Sequence, residues 1–109
     1  MATFFRNKVI KEVGLVPVKI LDTDANTRST IVGMSLANIS PATVHASLMI
    51  DDDTSVRGYY IKDVVIPPNS SLRALSAGEK LVLAPDNALY AQADADAAYD
   101  LIVSYVDIV

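Results

Sequence analysis

The sequence contains no cysteine, no tryptophan and only one histidine among its 109 residues. Without cysteine, the chain has no disulfide, no thiolate metal ligand and no thiol nucleophile, which is typical of synthesis in a reducing cytoplasm. The one histidine, His45, is interpreted as a surface or interface residue, because no Gly-x-Ser-x-Gly motif accompanies it. We therefore predict no catalytic residue, no metal site and no cofactor, and expect that the protein is not an enzyme.

Long apolar runs and glycine-rich loops are also missing. The four glycines occur singly, so no loop is suited to cradle a phosphate. No segment approaches the roughly 18 apolar residues of a membrane span. Residues 1–8 have neither the apolar stretch nor the small-residue cleavage site of a signal peptide. We expect neither membrane contact nor a small-molecule substrate.

The charges are unevenly distributed along the chain. The net charge is −4, but residues 1–28 sum to +2, whereas residues 81–109 carry five Asp and no Lys or Arg. The lack of a basic stripe disfavours binding to nucleic acid. The acidic part is either a solubilising surface or a region complementary to the basic N-terminus of another copy.

The pattern of apolar and turn residues is that of an all-β protein. A hydrophobic fraction of 51% excludes disorder, and the length suits one domain. In one segment, for example, Val32, Met34 and Leu36 alternate with small residues and are predicted to face the core. A turn is predicted at residues 76–79, and Pro85 argues against a helix in the alanine-rich segment 84–98. About eight strands are predicted: residues 13–21, 30–38, 43–50, 59–66, 72–75, 80–83, 88–93 and 101–109. Their spacing predicts a single antiparallel β-sandwich of the Ig-like, Greek-key type over residues 12–109.

Residues 1–11 stand apart as a predicted extended N-terminal arm. This segment places Phe4 and Phe5 beside the cations Arg6, Lys8 and Lys11. A free tail would expose both phenylalanines, so the arm is expected either to pack on its own domain or to insert into a neighbouring subunit. Phe4, Phe5, Arg6 and Lys8 are therefore candidate interface residues.

Two other groups of residues are candidates for binding. Tyr59 and Tyr60 must point to opposite faces of their strand, so at least one of them is available for an interface, where tyrosine is favoured. Two acidic clusters, Asp51–Asp53 and Asp94 with Asp96 and Asp100, could offer oxygen ligands to Ca²⁺. Both lack the ligand spacing of an EF-hand, and solvated loop carboxylates are the favoured interpretation.

Four segments between residues 35 and 108 form a recognisable motif pattern. From Val64 the chain reads VVIPPNSSL, then GEKLVLAPDNALYA and finally YDLIVSYVDI, preceded by SLANIS at residues 35–40. This is similar to the small Ig-like β-sandwich proteins of tailed bacteriophages, which include neck, tail, baseplate and capsid decoration proteins. The Pro85-Asp86-Asn87 turn departs from the Gly-Asp turn usual there, which leaves that loop's geometry open.

The resemblance implies a structural protein of a tailed-phage virion, assembled in the host cytoplasm. Its expected role is an oligomeric adaptor in the neck, tail or baseplate that contacts copies of itself and other virion proteins. One alternative is a capsid decoration protein. A second is a carbohydrate-binding module that uses Tyr59, Tyr60 and Asp51–Asp53, although it would lack tryptophan, the best sugar-stacking residue.

Overall fold

The computed structural model describes residues 2–75 and 79–109, which fold into nine β-strands without a helix. The described part confirms an all-β fold and the non-helical prediction for residues 84–98. Residues 76–78 of the predicted turn at 76–79 lie outside the described residues. The strands are β1 (Thr3–Val13), β2 (Val18–Asp22), β3 (Arg28–Asn38), β4 (Val44–Asp51), β5 (Arg57–Ile66), β6 (Ser71–Arg73), β7 (Leu81–Leu83), β8 (Ala88–Ala93) and β9 (Tyr99–Ile108).

The strands form two antiparallel sheets whose pairing is nested. Sheet A has the order β1-β9-β3-β6, with β7 also paired to β3, and sheet B has the order β2-β8-β4-β5. Four of the pairings are those of one long hairpin folded over on itself. They join β1 to β9, β2 to β8, β3 to β6 and β7, and β4 to β5. The pairs β3–β9 and β4–β8 roll that hairpin into two layers. Such a double Greek key is the jelly-roll arrangement.

The Ig-like part of the prediction is not confirmed by this strand order. An Ig-like domain places its first two strands side by side in one sheet. Here β1 and β2 belong to different sheets, and their neighbours are the last two strands of the chain. The sequence pattern identifies strands through local alternation, but these pairings join distant residues and leave no local signal.

The core lies between the two sheets and consists of aliphatic side chains and one tyrosine. Tyr99 is fully buried, and its hydroxyl donates a hydrogen bond to the carbonyl oxygen of Gln92 at 3.0 Å. In β4, Val44, Ala46 and Leu48 are buried, and Ile50, the fourth apolar residue of that alternation, is partly buried against the core. This double layer fixes which faces of the sheets point outward.

A β-bulge in β3 changes the predicted facing of Val32. The register of β3 against β9 shifts between Ile31 and Gly33, so Val32 is an extra residue. Met34 and Leu36 are buried as predicted, but Val32 is 48% exposed and Ile31 is fully buried instead. The prediction for Val32 is therefore wrong, because one inserted residue reverses the alternation on its N-terminal side.

Residues 1–11 do not form a separate arm in the part of the chain that the structure describes. Residues 3–13 form β1, the edge strand of sheet A, paired with β9 from Thr3 opposite Ile108 to Val13 opposite Tyr99. The first strand predicted from the sequence, residues 13–21, corresponds to the shorter β2 at Val18–Asp22, because Val13 already belongs to β1. The sequence gives β1 no alternating pattern because most of its residues are exposed on both faces.

Candidate assembly interface

Strand β1 has little cover on either face. All residues from Thr3 to Val9 are exposed, and only Val13 at its C-terminal end is buried. Phe5 is 84% exposed and Val9 is 62% exposed. Sheet B contacts β1 only sparingly, because β2 is five residues long and β1 is eleven. The N-terminal part of β1 therefore extends past sheet B with apolar side chains in solvent, which marks an interaction surface.

Among the four sheet edges of the described residues, β1 is the long and regular one. It pairs with β9 over eight consecutive residues, Thr3 to Ile10, without a register shift. The opposite edge of sheet A consists of two three-residue strands, β6 and β7. In sheet B, β2 is short and shifted in register, and β5 has two shifts and the left-handed residue Asp63, with φ of 51°. Bulges and short strands hinder edge pairing, and they protect the other three edges. In β1 the register shift comes only after Ile10, and the regular part before it is protected only by the charges of Arg6 and Lys8.

The inner face of β1 is anchored through Arg6. The guanidinium of Arg6 lies 5.0 Å from the ring centre of Phe4, and its Nε lies 3.2 Å from Oδ2 of Asp107 on β9. Asp107 also accepts a hydrogen bond from the hydroxyl of Ser29 on β3, which is 2% exposed. One carboxylate thus links β1, β9 and β3 near the N-terminal end of β1.

The outward face of sheet A carries apolar residues and few charges. Directly opposed residues on neighbouring strands form rows across it, since Phe5 pairs with Val106, Val106 with Thr30, and Thr30 with Val82. A second row pairs Val9 with Ile102, which is 48% exposed. The apolar surface of β1 therefore continues across the sheet.

Tyr59 and Tyr60 lie on β5, at the far edge of sheet B from the β1 side of the sandwich. Tyr60 packs against the core, and its hydroxyl donates a hydrogen bond to a carboxylate oxygen of Glu79. Burial, together with this bond, raises the pKa of the Tyr60 phenol to about 12. Tyr59 is 53% exposed on the outward face. The two tyrosines thus point to opposite faces, as predicted.

The outward face of sheet B contains a small apolar centre at Met49. Met49 is 2% exposed and pairs directly with Tyr59 on one side and Tyr90 on the other. The guanidinium of Arg57 lies 4.5 Å from the ring centre of Tyr90, and the ammonium of Lys62 lies 5.1 Å from that of Tyr59. A sugar would have to displace these cations to stack on the rings, which argues against the carbohydrate-binding alternative.

The acidic clusters form hydrogen bonds within the protein. Both carboxylate oxygens of Asp51 accept from Arg57, at 2.6 and 3.0 Å, and this bonding lowers the pKa of the Asp51 carboxyl. Asp52 accepts from the amide and hydroxyl of Thr54 and the amide of Val56, which also lowers its pKa. These carboxylates stabilise their own loop between β4 and β5.

His45 and Asp94 link the start of β4 to the end of β8. The amide of His45 donates to Oδ1 of Asp94 at 2.9 Å, and Nδ1 of its ring lies 2.7 Å from Oδ2. These bonds, the backbone one first, lower the pKa of the Asp94 carboxyl. Asp100 accepts from the amide of Glu12 at 2.8 Å. His45 stays in the surface role that the sequence predicts for it.

Two further observations concern residues 2–75 and 79–109. No group of three or more His, Asp or Glu side chains there is close enough to hold a metal ion. No helix there is long and apolar enough to cross a membrane.

The structure brings together some of the predicted interface residues and separates others. Phe4, Phe5, Arg6 and Lys8 share β1, whereas Tyr59 and Tyr60 lie at a different edge of the sandwich. The sequence analysis did not identify Val9 or Asp107 as part of the β1 surface. A signal for this surface exists in β9, where residues on both alternating faces are apolar, Leu101 and Val103 inward and Ile102 outward.

No protein-family model matches this chain, and no curated protein matches it significantly. Similar solved structures exist. A protein of the Bacillus endospore appendages, which form a family of disulfide-linked pili, is 8% identical with a TM-score of 0.57. The alignment covers 96% of this chain and 86% of the pilus protein. At this identity, the likeness shows a shared fold.

Two viral structures are more distant. A chain from the turret assembly of an archaeal virus with a triple jelly-roll fold is 13% identical, with a TM-score of 0.47. A chain of infectious bursal disease virus, Gt strain, is 9% identical, with a TM-score of 0.29. The matches cover 97% and 99% of this chain, but it spans only 29% and 42% of the viral chains.

Proposed function

We propose that this protein is a structural subunit that associates with further copies of itself through β1 and the adjoining outward face of sheet A. The observation that carries the proposal is the exposure of β1, where Phe5 is 84% and Val9 62% exposed on an unprotected edge strand. A long apolar edge strand left in solvent invites pairing with another chain. In a structural subunit that pairing is the function.

Within this role, we propose a virion protein of a tailed phage, an adaptor in the neck, tail or baseplate. The resemblance of residues 30–109 to the small β-sandwich virion proteins supports it, as does the shared fold with a pilus protein. Many weak contacts repeated by symmetry would give a stable particle. This chain has no cysteine, so its subunits would associate without the disulfides of those pili. A capsid decoration protein is the alternative, and the position of the subunit in a particle image separates the two.

The test compares the native chain with a Phe5→Thr/Val9→Thr double variant. Both side chains are outward and exposed, so we expect an unchanged fold and melting temperature but at least a tenfold weaker association by sedimentation. Val65→Thr is the matched control, because Val65 is also outward and 53% exposed but lies on β5 of sheet B, away from the proposed interface. A native chain that stays monomeric at high concentration overturns the proposal.

Deleting residues 2–11 is a poorer test than substitution. The deletion removes most of β1 and exposes the edge of β9, which carries the buried residues Leu101 and Val103. Loss of assembly would then follow from unfolding as readily as from loss of contact. For the virion assignment, the check is mass spectrometry of purified phage particles, where absence of the chain contradicts it.

A further inference from the structure

The regular edge of β1 can accept a strand, and its own sequence fits a second copy of β1. The comparison of the sheet edges leaves Thr3 to Ile10 of β1 as the longest stretch of edge strand without a register shift among the described residues. A partner strand has room there, because Phe4, Arg6 and Lys8 on its inner face are exposed and sheet B does not extend beneath them. An incoming strand would therefore meet no second layer.

Symmetry restricts how two copies of β1 can pair. In an antiparallel pair related by a two-fold axis perpendicular to the sheet, one residue must lie opposite its own counterpart. The regular part of β1, Thr3 to Ile10, admits two axes that each pair seven residues, one at Arg6 and one at Asn7. The side chains decide between these two axes.

The axis at Asn7 matches the side chains. It places Phe5 opposite Val9 of the second copy on the outward face, twice by symmetry, which pairs the most exposed apolar residues of β1 with each other. Aromatic and β-branched residues in directly opposed positions stabilise a strand pair. On the inner face, the same register places Phe4 opposite Ile10. An axis at Arg6 would instead set Phe5 opposite Asn7 and Phe4 opposite Lys8, so neither phenylalanine would have an apolar partner.

One juxtaposition in this register is unfavourable and occurs twice by symmetry, because Arg6 of each copy lies opposite Lys8 of the other. The carboxylate of Asp107, 3.2 Å from Arg6, offsets it. The residue on the axis, Asn7, is uncharged and polar. The basic character of β1 therefore does not prevent its self-pairing.

We infer that β1 pairs antiparallel with β1 of a second copy about a two-fold axis at Asn7, which continues sheet A from one subunit into the next. The inference rests on the proposed function, since it specifies the contact by which the subunits associate. The joined sheet would have the order β3-β9-β1-β1-β9-β3 across the dimer.

The absence of cysteine makes the register directly testable. In the Asn7→Cys variant of the full chain, the two thiols would be the only ones present, with Cα atoms about 4.5–5.5 Å apart, inside the range for a disulfide. We expect mild oxidation at micromolar concentration to give a covalent dimer. Ser104→Cys is the matched control: Ser104 is opposite Asn7 on the same face, but its counterpart would be about 14 Å away, so no dimer should form.

A second crosslinking experiment uses Phe5→Cys and Val9→Cys. The two variants should form a disulfide with each other when they are mixed, and neither should form one alone.

The outcomes separate the register from the function. A chain that is oligomeric by sedimentation while Asn7→Cys gives no disulfide overturns this inference and leaves the proposed function standing. A chain that is monomeric in both assays overturns both. Crosslinking of Asn7→Cys to a different protein in particles or lysate, with no homodimer, overturns the inference by showing that another partner holds the edge.

Discussion

Arg6 on β1 and Asp107 on β9 form an ion pair that holds the exposed edge strand against the sheet, with Nε and Oδ2 3.2 Å apart. Arg6 is half exposed, whereas the Asp107 side chain is 19% exposed and also accepts from Ser29. The carboxylate is fixed on β9, which has a strand on either side, whereas the cation lies on the edge strand β1. It keeps β1 ordered without covering its outer edge.

The first prediction concerns the strength of this pair. We expect the Arg6→Gln and Asp107→Asn variants to show a coupling free energy of about 0.2–1 kcal/mol in a double-mutant cycle, the range of surface ion pairs. Hydrogen exchange of the β1 amides should become faster in both variants, while that of β4 and β8 stays unchanged. The coupling should shrink at high salt. A coupling near zero would mean that strand pairing alone holds β1.

The second prediction tests the bulge in β3. Ile31→Ala should lower the free energy of unfolding by about 2–5 kcal/mol, because it leaves a cavity in the core. Val32→Ala should change it by no more than about 0.5 kcal/mol, because Val32 is 48% exposed. Urea denaturation measures both. Equal losses would show that the alternation in β3 is uninterrupted and that the bulge is absent.

The third prediction concerns Asn38, a buried residue at the end of β3. Its side-chain nitrogen donates to the carbonyl oxygens of Ala42, Ile66 and Pro67, at 2.8, 3.0 and 3.1 Å. Asn38→Ala should cost about 1–3 kcal/mol, because these carbonyls lose their donor. Asn38→Asp has the same shape but turns a carboxylate towards the carbonyls, so it should cost more at neutral pH. Partial recovery of its melting temperature at acidic pH would confirm the electrostatic cause. Equal melting temperatures of the two variants at neutral pH would contradict it.

The fourth prediction concerns alkaline pH and Tyr60. Folding raises the pKa of this phenol from 10.0 to about 12. A raised pKa in the folded state means that the protonated form is favoured by folding, so its contribution is complete below pH 10 and is lost between pH 10 and about 12. Thermal unfolding across this range should show a steeper loss for the native chain than for Tyr60→Phe. Tyr59→Phe is the control and should keep the native slope. The same slope in Tyr60→Phe would rule Tyr60 out as the cause.

The sequence was sufficient to predict strands in which apolar residues on a buried face alternate with polar or small residues on a solvent-facing one. Met34 and Leu36 of β3 are such a case, since both are buried as predicted and Ser35 between them is not. Strand β1 was not recognised, because a strand exposed on both faces carries no period of two. The strand order was missed for a different reason, since β1 pairs with residues about a hundred positions away. Phe4 and Phe5 were predicted as interface residues because two phenylalanines near the N-terminus stand beside cations. Val9 could be placed on the same surface only once the strand register was known, since it pairs with Ile102.

The nested pairing also has a consequence for the order of folding. Among the strand pairs of the described residues, only β4–β5 joins consecutive strands, and every other pair closes a longer loop around it. Closing loops costs entropy before the contacts compensate it. Folding is therefore expected to begin in the middle of the chain and proceed outward to both ends, with the β1–β9 pair closing last. In pulsed hydrogen exchange, β1 should gain protection after β4, and earlier protection of β1 would contradict this order. Strand β1 would thus be the last to pair within its own subunit, and it is also the strand proposed to pair with a second subunit.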